Sequence, residues 1–165
     1  MKHILPVLAL ATLTACGLRP VYGGGGNGPV AQALGNVEVA PIEGKGGWLM
    51  RNALNDRLSA MRSGAGQRYR LVVKLDDQIT GFGLRADAAI TRERRTLRAR
   101  YQLIDITTGA QILDDTAGSD AGIDVTSSEY ATIAGEDTAL ERLSQTVADQ
   151  IVTRLALFAR KAGNP

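Results

Sequence analysis

The sequence predicts an α+β fold: a two-layer sandwich in which a four-stranded, mainly antiparallel sheet carries two helices on one face, in the order β-α-β-β-β-α. Three observations predict it. Tyr69, Leu71, Val73 and Leu75 alternate with Arg70, Lys74 and Asp76, which is the period of a strand with one buried face. Leu97, Ala99, Tyr101 and Leu103 repeat that alternation against Thr96, Arg98, Arg100 and Gln102. Finally, Leu140, Leu143, Val147, Ile151, Leu155 and Phe158 recur at helical spacing and share an arc of about 120°.

The chain opens with Met1, Lys2 and His3, a short positive start, and continues into an apolar stretch from Ile4 to Ala11 that is too brief to span a bilayer. That is the pattern of a secretory signal. Leu13, Thr14, Ala15 and Cys16 resemble the lipobox of bacterial lipoproteins, so residues 1–15 are expected to be the signal peptide and Cys16 the acylated first residue. The N-acyl and diacylglycerol groups expected on Cys16 would hold the protein on a membrane, each buried methylene contributing about 0.8 kcal/mol. Gly17, where a retained lipoprotein would carry Asp, fits transfer to the outer membrane.

Residues 16–35 read as the acylated N-terminus and a tether, because Gly23 to Gly26, Asn27 and Gly28 would lose much backbone entropy on ordering. A phosphate-cradling loop would need a strand before these glycines and a Lys-Ser/Thr pair after them, and neither is present. Residues 36–162 then form the single domain, followed by a tail at 163–165. Val37 to Ile42 reads as the first strand. Met50, Leu54, Leu58 and Met61 predict a helix from Trp48 to about Arg62, with Gly64 as its stop and Arg57 snorkelling from the apolar stripe. The strand from Tyr69 is followed by a loop from Thr80 to Ile90. Thr107, Thr108 and Gly109 signal a hairpin into a strand that starts near Gln111 and runs, broken at Gly118, toward Val125. The long stripe makes the last helix a cover for the sheet.

Composition excludes several chemistries. The only histidine, His3, leaves with the signal peptide and acylation takes up the only thiol, that of Cys16, so Cys/His metal sites, cysteine nucleophiles and His-based serine triads are excluded together. No cofactor or metal is expected. Removing Lys2 with the signal leaves 18 basic against 17 acidic side chains, a formal balance of +1 that gives no case for a nucleic-acid partner. A carboxylate hydrolase could in principle use Asp114 with Asp115 or Glu136 with Asp137. Strand neighbours point to opposite faces and helix neighbours diverge by about 100°, so neither pair converges. The chain therefore reads as a non-enzyme. Charge is distributed unevenly: Arg85, Arg92, Arg94, Arg95, Arg98 and Arg100 crowd one segment, while acids dominate from Asp105 to Glu141.

Taken in order, "ACGLRPVYG", "YRLVVKL", "RARYQLIDITTGAQIL" and "SSEYATIAGEDTALERLSQTVADQIVTRLALF" resemble the LptE family of lipopolysaccharide-assembly outer-membrane lipoproteins, in its alphaproteobacterial form. The resemblance implies a non-enzymatic plug and assembly partner of the LptD barrel that acts in lipopolysaccharide transport and touches lipopolysaccharide on its way to the cell surface. It also implies a location on the periplasmic side of the outer membrane, lipid-anchored. Arginine offers planar multidentate donors to the phosphates of lipid A. Arg85, Arg92, Arg94, Arg95, Arg98 and Arg100 are accordingly the candidate anion contacts, on a strand with a basic exposed side and the loop before it. The alternative function is an auxiliary lipoprotein of a lipid-transporting ABC system.

Overall fold

The computed structural model describes residues 29–61, 66–84 and 90–162. Cys16, the signal peptide, the glycine run, Arg85 and the 163–165 tail lie outside the described residues. The elements are α1 (Pro29–Gly35), β1 (Val37–Val39), α2 (Gly44–Ser59), β2 (Tyr69–Leu84), β3 (Ile90–Asp105), β4 (Gln111–Asp124) and α3 (Glu129–Ala162). The four strands form one sheet in the order β1-β2-β3-β4. β1 runs parallel to β2, and the β2/β3 and β3/β4 pairs are antiparallel. The predicted class holds, with a mixed sheet and one additional helix.

That helix, α1, occupies residues assigned to the tether. Proline favours the first helical position because the N–H it lacks would have no intrahelical partner. Ala31 and Leu34 are buried, and α1 packs chiefly on α3. β1 keeps only three residues of the predicted 37–42 strand before the Ala40 N–H closes on the Leu71 carbonyl at 2.9 Å.

α2 starts at Gly44, four residues before the predicted start, because its first turn passes against the chain entering it. A Cβ on Gly47 would lie 2.5 Å from the Ile42 carbonyl oxygen, so only glycine fits there. Met50, Leu54 and Leu58 point into the core as their spacing predicts. Arg57 does more than snorkel. It clasps Asp149 of α3 through Nε and Nη2, and donates to the carbonyls of Ala53 and Gln145 at 2.9 and 3.2 Å, joining the two long helices.

β2 and β3 run far beyond their predicted ends, with paired residues from Tyr69↔Asp105 to Leu84↔Ile90. Thr80–Leu84 and Ile90 of the expected loop are therefore strand, residues 85–89 lie outside the described residues, and Arg92, Arg94 and Arg95, read as in or just before the strand, lie within β3. The turn after β3 falls where Thr107-Thr108-Gly109 places it. Asp105 Oδ1 accepts from the Thr107 and Thr108 N–H groups at 2.9 and 3.2 Å, and Gly109 takes φ +70°. Burial opposes the charge on Asp105, but those two N–H donors and Arg68 outweigh it and hold its pKa low. β4 is continuous through Gly118.

At 34 residues, α3 is about 51 Å long by its 1.5 Å rise, close to the roughly 53 Å of a 16-residue strand, so it runs nearly the length of the sheet. The core lies between this helix, α2 and one sheet face. It gathers Leu71, Val73, Leu97, Ala99 and Tyr101 of the sheet, Met50 and Leu54 of α2, and Leu140, Val147, Ile151 and Leu155 of α3.

Candidate functional site

Strand alternation gives the sheet two unlike faces. Residues in phase with Leu97 and Tyr101 meet the helices, and those in phase with Arg98 and Arg100 form an open face that no described element covers. Arg92, Arg94, Arg98 and Arg100 lie on the open face, as expected. Arg95 does not: it shares phase with Leu97, its side chain is only 11 % exposed, and it is tied to other groups on the helix side. Nε and Nη2 of Arg95 donate to the Asp77 carboxylate at 2.8 and 2.6 Å, and Nη1 donates to the Glu136 carbonyl at 2.8 Å. It fastens the start of α3 to the far half of the sheet, a structural role that removes it from the candidate anion contacts. Beside it, burial and the nearby Glu136 carboxylate raise the Glu93 pKa.

The open face is also less basic than predicted. Its described strand residues include Arg70, Lys74, Arg92, Arg94, Arg98 and Arg100 against Glu38, Asp76, Asp114, Asp120 and Asp124. β4 supplies most of the acids. Arg92 Nε reaches Asp124 at 3.0 Å, Arg98 Nη2 reaches Asp120 at 3.4 Å, and Arg100 holds Asp114 with two bonds of 3.0 and 2.8 Å. Arg98 achieves its diagonal reach by crossing Gly118, where a Cβ would collide with the arginine side chain and come within 2.9 Å of the Leu97 carbonyl oxygen. The sequence signal for this ladder is that Asp114, Asp120 and Asp124 have equal phase on β4.

Hydrogen bonds from Arg100, then Gln102, hold the Asp114 carboxyl down to about 2, and Thr96, then Arg98, lower Asp120. A depressed carboxylate contributes stability that is present above its unfolded value of 3.8 and lost as pH falls through about 2. Titration of the Asp114 side-chain carbon by NMR should give a midpoint near 2, and Arg100→Gln should move it up toward 3.8. A midpoint unchanged by that substitution would show that the guanidinium is not the partner. Arg94 stands apart: its guanidinium lies over the Phe82 ring, 5.5 Å from the centroid, and forms no ion pair among the described residues.

The carboxylate pairs weighed for hydrolysis separate as the geometry requires. Asp114 faces out to Arg100, while Asp115 is on the helix side, 3.5 Å from Arg154 Nε. Asp137 pairs with Lys45 at 2.6 Å, while Glu136 lies beside Glu93.

Against solved structures, the chain is 28% identical to a Caulobacter crescentus CB15 protein assigned as a candidate lipoprotein. The match covers 81% of this chain and 98% of that one, with a TM-score of 0.66. The rare lipoprotein B of Shewanella oneidensis shares the fold at 10% identity, 78% and 98% coverage and a TM-score of 0.60. A minor lipoprotein of Acinetobacter baumannii does so at 14% identity, 73% and 91% coverage and a TM-score of 0.55. No curated protein matches the sequence. The LptE family model, described as lipopolysaccharide-assembly, matches residues 34–155, which takes in all four strands, α2 and most of α3. With its two-layer fold and a match that spans nearly the whole described domain, the chain belongs to the LptE family of lipopolysaccharide-assembly lipoproteins.

Proposed function

We propose that acyl groups on Cys16 hold this protein on the periplasmic side of the outer membrane, where it serves as plug and assembly partner of an LptD-type barrel and contacts lipopolysaccharide through its open sheet face. The observation that carries the reading is a 16-residue strand presenting Arg92, Arg94, Arg98 and Arg100 on a face clear of the helices. Lipid A phosphates match guanidinium donors in charge and geometry. Arg94 is the first contact, because it has no carboxylate to leave. Arg92 and Arg98 take part by exchanging exposed aspartate pairs, which are worth little in water, whereas Arg100 must leave the more firmly held Asp114. Arg85, which lies outside the described residues, remains a candidate contact by its place in the sequence alone.

The partner is tested by crosslinking in the native envelope. Recovery of a large outer-membrane barrel supports the reading, and recovery of inner-membrane transporter subunits would instead select the ABC-system role. Mass spectrometry of the N-terminal peptide should show Cys16 carrying acyl chains. For the ligand, Arg94→Ser with Arg98→Ser should weaken binding to purified lipopolysaccharide about tenfold, from lost charge-assisted hydrogen bonds, with an unchanged circular dichroism spectrum. Unchanged affinity at moderate salt would remove the open face from the site.

A further inference from the structure

β4 is an open edge. The Val125 N–H donates to the Thr91 carbonyl at 3.0 Å, which sets the phase of the ladder: odd-numbered residues of β4 bond to β3, and even-numbered ones turn their backbone groups outward. Two outward groups show it directly. The Gly118 N–H is met only by a side chain, Gln150 Oε1 at 3.2 Å, and the Thr116 N–H by the neighbouring Asp115 carboxylate at 2.7 Å. Edge strands are ordinarily guarded by lysine, proline or a bulge. Residues 113–124 have no Lys, Arg or Pro and are guarded only by their aspartates; the one register shift leaves Ile112 as an extra residue at the start of the strand, before this stretch.

The edge is also shaped to receive another backbone. Residues 116–122 are all small, Thr-Ala-Gly-Ser-Asp-Ala-Gly, and a Cβ on Gly122 would meet nothing within 4 Å. On the helix side a groove of about 550 Å³ follows the edge, lined by Ala117, Thr146, Gln150, Thr153 and Leu157 among others. On the open side Asp120 and Asp124 are 47 % and 78 % exposed and lean back toward β3. Asp124 holds Arg92, and Asp120 holds Arg98 and the Thr96 hydroxyl, and each carboxylate still has lone pairs for a further donor.

We propose that β4 accepts a fifth strand from another polypeptide, an extended segment with Lys or Arg on alternate residues above Asp120 and Asp124 and small apolar residues seated over the groove beside α3. Charge complementarity selects this occupant. All four charged residues of β4 are aspartates, so a second copy of β4 would add acids to acids, whereas a basic strand meets them. Main-chain bonds supply the attachment, and the alternating side chains supply the choice of partner. The inference does not depend on the barrel or lipopolysaccharide reading.

The test uses the full chain in neutral detergent and a nine-residue peptide of alternating lysine and valine. Amide exchange should slow at Thr116, Gly118, Asp120 and Gly122 and stay unchanged at the odd-numbered residues between them. Gly122→Pro removes one outward donor without touching the ladder and should weaken binding about tenfold. Gln150→Ala frees the Gly118 N–H and should strengthen it, an effect that general damage would not produce. Equal binding of a glutamate–valine peptide, or of the lysine peptide N-methylated at alternate amides, overturns the proposal. So does a peptide-free dimer that Gly122→Pro dissolves, which would give the edge to a second copy.

Discussion

Tyr101→Ala should cost about 3–5 kcal/mol, a large part of the stability of a domain this size, whereas Tyr101→Phe should stay within about 1 kcal/mol of the parent. Tyr101 is among the largest side chains with no exposed surface, and it stands on β3 beneath the helix layer among Leu71, Leu97 and Ile151. Truncation therefore opens a ring-sized cavity in the centre of the core. The hydroxyl is different. It is buried without a hydrogen-bond partner among the described residues, so deleting it orphans nothing. Burial, then the nearby Asp115 carboxylate, pushes the Tyr101 hydroxyl from 10.0 up to about 12. A raised folded value gives stability that is complete below 10.0 and lost as pH rises through about 12. Urea melts of the two variants at neutral pH, and of parent and Tyr101→Phe from pH 9 to 12, check all three outcomes. A Phe variant as unstable as the Ala variant would refute the cavity account, since the ring would then not be what matters.

Two adjacent glycines should respond in opposite directions. Gly47→Ala should destabilise by about 1–3 kcal/mol, the usual range for overpacking, in spite of the roughly 1 kcal/mol that alanine offers over glycine in a helix. The new methyl would meet the carbonyl carbon and oxygen of Ile42 at 2.6 and 2.5 Å, and backbone atoms cannot swing aside as a side chain does. Gly46→Ala should instead be neutral or stabilising by up to about 1 kcal/mol. Its methyl meets Leu140 Cδ1 at 3.5 Å and Leu75 Cδ1 at 3.8 Å, ordinary contact distances. Thermal melts of both variants test the pair, and matching shifts in Tm would show that the close approach is not real.

How much of this could be read from the sequence depended on pattern length. Strands β2 and β3 and the second half of α3 were legible because each repeats its period over four or more residues of one type. The parallel direction of β1 was not, since three residues carry no directional signal. α1 was masked by its glycine-rich neighbourhood, although Pro29 and Gly35 bracket it. The first turns of α3 were hidden because Glu129 to Thr138 bury little, with Tyr130 and Ile133 83 % and 49 % exposed, and thus have no stripe to show. At the site, the arginines were read as a cluster along the chain when phase was the better guide. Arg95 stands two residues before Leu97 and so belongs under the helices. The aspartates that answer Arg92, Arg98 and Arg100 lie on a strand whose pairing no local pattern reveals.

The buried side chains are not spread evenly along the strands. Leu71, Val73, Ala99, Tyr101 and Leu103 anchor one end, while toward the other Ile79 and Phe82 are each 41 % exposed and polar ties such as Arg95 to Asp77 take over. The half of the sheet beyond Leu97 should therefore open at lower cost than the anchored end, although Ile123 and the Arg95 ties still hold it to α3.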